Sequence, residues 1–223
     1  QVAAMTTSTV QSIEKADLAV MTSSQINAMT TAQVAALTTS QVTSLSVADL
    51  TNLGSTQLGA LTTSQLGELT ATQLNALTTA SVAALTTSQV SNLSSTQIAA
   101  LSTAQVKALT SAQMEALTSA QVGSLTVNQF NALSASQLQA IDSADLAAIS
   151  TATLASIATV QISQLTSLQI RQLANLAHSP LHFPSYILQV SPQDSPRDSP
   201  LDSLPGNHLL NLLLVPPPSL QGC

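Results

Sequence analysis

The sequence is governed by an eight-residue period that runs from residue 5 to residue 172. A typical unit is Leu37-Thr-Thr-Ser-Gln-Val-Thr-Ser, and twenty-one such octads follow one another. The first and sixth positions of every octad hold a large apolar side chain. A short fixed period means that each unit buries its apolar side only against neighbouring units, as in solenoids. The period therefore predicts a repeat array whose core is formed by these two positions.

The predicted core is represented by apolar residues spread along the array. They are Leu37, Val42, Leu45, Leu61, Leu66, Leu85, Val90, Leu101, Val106, Leu117 and Val122. Neither one long helix nor a plain strand places them together. In a continuous helix of about 100° per residue, the apolar pair slips by about 80° around the axis with each octad, so that no stripe forms. In a plain strand, their odd spacing sends them to opposite faces. A β-solenoid with a corner in each octad remains open.

The remaining positions favour short helices. The second position is Ser, Thr or Asp in eighteen octads, and the fifth is Gln in fifteen and Asp in three, which is the pattern of a capping box. The predicted caps are Thr38 with Gln41, Thr62 with Gln65, Thr86 with Gln89, and Thr118 with Gln121. A helix of about one and a half turns is marginal alone, and it must pack against neighbouring octads. We therefore predict an all-α solenoid of short capped helices, one per octad, with a Thr-rich β-solenoid as the alternative.

Composition changes after His178, and the change divides the chain into two regions. We predict an octad solenoid over residues 1–178, with about 21 repeats in 5–172, and a Pro-, Ser- and Leu-rich low-complexity tail over 179–223. The longest apolar run, Leu209 to Val215, is shorter than the ~20 residues of a membrane helix. We therefore expect no membrane span.

The sequence favours a structural role over catalysis. Only 6% of the residues are charged, and the four basic residues are scattered, so we expect no nucleic-acid partner. No His precedes His178, which leaves the array without the base of a hydrolase triad. His178 and His182 have the spacing of helical metal ligands, but Pro180 lies between them. We predict that the chain is not an enzyme and holds no cofactor or metal.

The third position offers a candidate surface. If the octads occupy equivalent places, Thr39, Thr63, Thr79 and Thr87 form a regular row of exposed hydroxyl and methyl groups. Such a row predicts, as an alternative function, the binding of ice or of a crystalline polysaccharide. It is also explained by the need for caps and an uncharged soluble face.

Three phrases resemble a known kind of repeat: Ala36-Leu-Thr-Thr-Ser-Gln-Val42, Ala84-Leu-Thr-Thr-Ser-Gln-Val90 and Ala108-Leu-Thr-Ser-Ala-Gln-Met114. They are similar to the octapeptide arrays of the ALTTxQVAAL type in large bacterial secreted or surface proteins, often described as heme-utilisation or adhesion exoproteins. The resemblance covers about residues 5–172 and implies an extracellular or cell-surface location and a stalk or filament role. It does not carry over heme or calcium binding, because the octads lack the ligands for either.

The main functional prediction is a non-enzymatic structural repeat protein. It would serve as an extracellular spacer or adhesin stalk, or would self-assemble as a homo-oligomer into a filament or tube, because an open repeat with matching ends favours association that need not close.

Overall fold

The computed structural model describes residues 1–177, and within them the chain is helical throughout, with no strand. The prediction of an all-α solenoid is confirmed, and the β-solenoid alternative is wrong for this range. The α-helices are α1 Thr7–Gln11, α2 Lys15–Val20, α3 Ser23–Asn27, α4 Thr31–Ala36, α5 Thr39–Ser44, α6 Val47–Asn52, α7 Ser55–Gly59, α8 Thr63–Gly67, α9 Ala71–Ala76, α10 Thr79–Ala83, α11 Thr87–Ser91, α12 Ser95–Ala100, α13 Thr103–Ala108, α14 Ser111–Glu115, α15 Ser119–Ser124, α16 Val127–Ala132, α17 Ala135–Ala140, α18 Thr151–Ala155, α19 Thr159–Ile162 and α20 Ser167–Ala177. Short 3₁₀-helices span Val2–Ala4 and Asp145–Ala148. The predicted tail, its boundary at His178 and the histidine pair lie outside the described residues.

Each octad forms one helix because its second residue caps the helix and its first residue ends the helix before it. In α5, the Oγ1 atom of Thr38 accepts a hydrogen bond from the backbone N–H of Gln41, and the backbone of Thr38 is extended. At the end of α5, Leu45 returns to an extended backbone, and Ser46 then caps α6. The helices are therefore five or six residues long through most of the array.

Helices stack on the helix three octads away. Three stacks result: α1, α4, α7, α10, α13 and α16 in the first; α2, α5, α8, α11, α14 and α17 in the second; α3, α6, α9, α12, α15, the 3₁₀-helix Asp145–Ala148 and α20 in the third. Side chains at the fifth position bond to backbone atoms 28 and 31 residues earlier, at the junction between the third and fourth octads back. One turn of the solenoid therefore takes between three and four octads, so the stacks wind gradually around its axis.

The interior is a thin apolar column. The first and sixth positions form one continuous core cluster from Val10 to Leu173. The sixth position is the more deeply buried, and even its largest occupant, Phe130, is only 1% exposed. Small residues at the eighth position let successive turns approach closely, so two aliphatic side chains per octad fill the interior.

The last described helix is longer than the others for a local reason. α20 has 11 residues, whereas the helices of α1–α17 have five or six. Ala174 stands where the next octad would need a Ser or Thr cap, so nothing ends the helix after Leu173. None of the helices in residues 1–177 combines the length and the apolar character that a bilayer span requires.

Candidate functional site: the inter-turn glutamines

The fifth position of the octad connects one turn of the solenoid to the next. Gln113 is only 2% exposed, and its Oε1 atom accepts a hydrogen bond from the backbone N–H of Thr110 at 2.7 Å. Its Nε2 atom donates to the carbonyl oxygens of Val82 at 3.0 Å and Leu85 at 2.6 Å, in the preceding turn. One side chain therefore caps its own helix and fastens it to the turn before.

The same arrangement recurs along the array. We call the glutamines whose Nε2 atom donates to the preceding turn the inter-turn glutamines. They are Gln33, Gln41, Gln57, Gln65, Gln73, Gln89, Gln97, Gln105, Gln113, Gln121, Gln129, Gln137, Gln161 and Gln169. Their acceptors lie at the carboxyl ends of short helices, where carbonyl groups have no partner within the helix. The inter-turn bonds thus satisfy backbone groups that would otherwise be buried without a partner.

Sequence reasoning identified these glutamines as caps and missed their second role. A capping box uses only the amide oxygen and leaves two N–H donors on Nε2. A buried amide needs acceptors for those donors, which was the available signal. The sequence could not name the acceptors, because identical octads do not reveal which of them become neighbours.

The predicted caps lie at the start of their helices. They are Thr38 with Gln41 on α5, Thr62 with Gln65 on α8, Thr86 with Gln89 on α11, and Thr118 with Gln121 on α15. The threonine Oγ1 atom accepts from the glutamine backbone N–H at 3.1 to 3.3 Å in all four pairs. The glutamine Oε1 atom accepts from the threonine backbone N–H at 2.6 to 2.8 Å. Both halves of the capping box are therefore present in each pair.

The eleven predicted core residues all lie inside the solenoid. They are Leu37, Val42, Leu45, Leu61, Leu66, Leu85, Val90, Leu101, Val106, Leu117 and Val122, and none is more than 6% exposed. Those at the sixth position contact the axis side of their own helix and are at most 1% exposed. The core is thus made by residues from every octad rather than by one region.

The structure does not bring the four predicted surface threonines into one row. Thr39, Thr63 and Thr87 lie on the stacked helices α5, α8 and α11, whereas Thr79 lies on α10 in another stack. Thr63 is partly buried, and the other three are exposed. Helices stack at about 8–10 Å, compared with about 4.8 Å between strands. The threonines are therefore more widely spaced than a β-solenoid would place them, and they follow the winding of the stacks.

Where Asp replaces Gln, a serine of the preceding turn supplies the inter-turn bond. Asp49 is 4% exposed and accepts hydrogen bonds from the Oγ atom of Ser46 at 2.6 Å and of Ser23 at 3.0 Å. Asp145 likewise accepts from Ser119. A carboxylate has no N–H, so the direction of the bond between turns is reversed at these two octads. No group of three or more His, Cys, Asp or Glu side chains in residues 1–177 is arranged to hold a metal ion.

Comparison with known families gives one result. A family model described as the ALTTAQ repeat matches four overlapping or adjoining segments, residues 10–47, 47–79, 72–103 and 95–127. Together the segments cover more than half of the chain, and all lie within the described solenoid. Comparison with curated proteins found no match.

Proposed function

The chain belongs to the ALTTAQ repeat family, and from this premise we propose that it is a non-enzymatic structural spacer whose length is set by its number of octads. The observation that carries the proposal is the repetition of the inter-turn glutamines. Because the same side chain fastens each turn to the one before, every added turn extends the solenoid by the same amount. The polar side chains that a catalytic site would use are here engaged in caps and inter-turn bonds.

The spacer function predicts a defined and tunable length. α1 and α16 are five steps apart in one stack, which corresponds to about 40–50 Å at ~8–10 Å per step. Spin labels at Ser8→Cys and Asn128→Cys, two exposed positions on these helices, would measure this distance by pulsed electron resonance in a Cys223→Ser background. Deleting residues 61–116, which are seven complete octads, should shorten it by about 15–20 Å. An unchanged distance, or a broad distribution typical of a random chain, would contradict the proposal.

Self-association would extend the same stacking between molecules. The edge of the first turn carries Met5, Ile13 and Met21, which are only partly buried, and Gln25 is exposed beside them. A second copy offers the carbonyl groups and apolar residues that inner turns offer one another. Sedimentation and negative-stain microscopy over a concentration series should therefore detect end-to-end particles. Ile13→Asp should weaken association, whereas Val20→Asp, at a position 80% exposed, should leave it unchanged.

A strictly monomeric particle at high concentration would refute assembly and leave the spacer function alone. We further propose an extracellular or cell-surface location, supported by the resemblance to secreted arrays. Protease added to intact cells that produce the natural protein should then remove the repeat region. Degradation only after cell lysis would contradict that location.

The alternative function, binding of ice or a polysaccharide, draws its support from Thr39, Thr63 and Thr87, which lie on three stacked helices. Replacing all three by Lys should then abolish thermal hysteresis or polysaccharide pull-down. The same replacement at Thr31, Thr79 and Thr103, which lie in another stack, serves as the matched control. Equal activity in both variants would reject recognition by this particular row.

A further inference from the structure

Octads 19 and 20, residues 149–164, lack the inter-turn bonds that fasten the rest of the array. Octad 19 has Thr153 at the fifth position, and its hydroxyl pairs with Ser150 of the same octad at 2.9 Å. An inter-turn glutamine at this place would reach the carbonyl oxygens of Val122 and Leu125, 31 and 28 residues earlier. Threonine is too short to do so.

Octad 20 has lost its cap. Ala158 precedes α19 without a side-chain hydroxyl, and its backbone N–H donates instead to Oδ1 of Asn131 at 2.8 Å. The Oε1 atom of Gln161, which in other octads accepts from that N–H, is left buried without a partner. The Oε1 atom of Gln164 is also buried and unpaired, and no other buried side-chain nitrogen or oxygen atom in residues 1–177 is in this state. Unpaired buried polar groups oppose folding locally.

The packing of these octads is looser as well. Leu154 occupies the sixth position yet is only partly buried, whereas most other sixth positions are completely enclosed. Ile149 and Ile157 are 8% and 6% exposed. α18 and α19 are also the α-helices in residues 1–177 that do not stack closely on a helix three octads away.

The chain regains its attachment immediately afterwards. α20 stacks on the 3₁₀-helix Asp145–Ala148. The Nε2 atom of Gln169 donates to Leu138 and Ile141, at 2.8 Å in both cases. Residues 149–164 therefore lie between two well-fastened regions and are not simply the frayed end of the described solenoid.

We propose that residues 149–164 form a local opening segment, which unfolds and refolds while the turns on both sides remain packed. Local opening requires weaker packing and fewer satisfied hydrogen bonds than the surrounding structure has, and this segment has both. Because α20 is bonded directly to octads 17 and 18, the segment can open without releasing α20. It would offer sixteen residues of extended chain to a protease or to a peptide-binding partner.

Hydrogen exchange of the full chain, read by mass spectrometry, tests the proposal. Amides of residues 151–164 should exchange at least about tenfold faster than those of residues 87–100, which occupy two fully bonded octads of the same length. Protection should return over residues 167–173. A steady loss of protection toward residue 177 would show ordinary end fraying and overturn the proposal, as would equal protection of the two segments.

A restoring variant makes the test specific. Thr153→Gln with Ala158→Thr supplies the missing amide and the missing cap, and should slow exchange in residues 151–164 about tenfold. The control is Thr9→Gln with Ala71→Thr. It makes the same chemical changes where no turn lies 28 residues earlier and where the residue is not a cap. Exchange in residues 151–164 should not change in the control, and slowing by both variants or by neither would contradict the assignment.

Discussion

At the scale of single residues, the fifth-position glutamine has two separable roles. Its oxygen caps the helix that contains it, and its nitrogen binds the carbonyl groups of the preceding turn. Changing the amide to a carboxylate retains the first role and removes the second, because Glu keeps an acceptor oxygen but has no N–H. The two roles can therefore be measured apart.

Gln113→Glu should lower the free energy of unfolding by about 2–4 kcal/mol, because two inter-turn bonds are lost and a carboxylate faces backbone carbonyl oxygens. The measurement is thermal or urea unfolding followed by circular dichroism. Gln11→Glu is the control, since Gln11 is exposed and lies at the seventh position of its octad. Equal effects of the two substitutions would mean that the inter-turn bonds contribute nothing.

Ser81 gives the opposite test, because it is a natural gap in the row of inter-turn glutamines. It is 2% exposed and pairs only with its own cap, Thr78, at 2.8 Å. Ser81→Gln should place an amide near the carbonyl groups of Leu50 and Leu53, and should stabilise the array by about 1 kcal/mol. A loss of stability in the same unfolding measurement would indicate that the turns have closed around serine and leave no room for the longer side chain.

At the scale of the elements, close contact between helices decides where glycine is required. A Cβ atom added at Gly123 in α15 would lie 2.6 Å from the carbonyl oxygen of Ala148, whereas one added at Gly67 in α8 would meet nothing within 4 Å. Both glycines occupy the seventh position of an octad. They therefore differ in packing and not in their place in the repeat.

Gly123→Ala should destabilise the array by about 1–3 kcal/mol, because the 3₁₀-helix must move away from α15. Gly67→Ala should stabilise it by about 0.5–1 kcal/mol, because alanine loses less backbone entropy in a helix. The midpoint of thermal unfolding measures both changes. The reverse order would show that the approach of Ala148 to α15 is not maintained in solution.

The elements also show what the sequence could and could not predict. Helix starts and core positions follow from chemistry within one octad, such as the hydroxyl of Thr38 and the apolar side chains of Leu37 and Val42. The contact partners of Gln113 and the clearance at Gly123 depend on which octads become neighbours. Twenty-one similar units carry no signal that distinguishes the third neighbour from the second. The 3₁₀-helix at Asp145–Ala148 likewise reflects packing on α15 and leaves no mark in the period.

At the scale of the whole molecule, stability should depend on the number of turns. Each octad buries its apolar side only against adjacent turns, so the array behaves as a one-dimensional series of coupled units. Chains that end after 7, 14 and 21 octads should show rising helical circular dichroism per residue and rising unfolding midpoints, with the shortest largely unfolded. A midpoint independent of length would mean that single octads fold alone, against the expectation for helices of five or six residues.

The non-integral number of octads per turn links repeat number to direction. A turn of about three and a half octads means that one additional octad raises the following chain by only about 2–3 Å but rotates it by roughly 100° about the axis. Gain or loss of a single repeat would therefore change where an attached domain points far more than how far it reaches. Seven octads restore the original bearing, so insertions of that size act as pure extensions, while smaller ones also act as rotations.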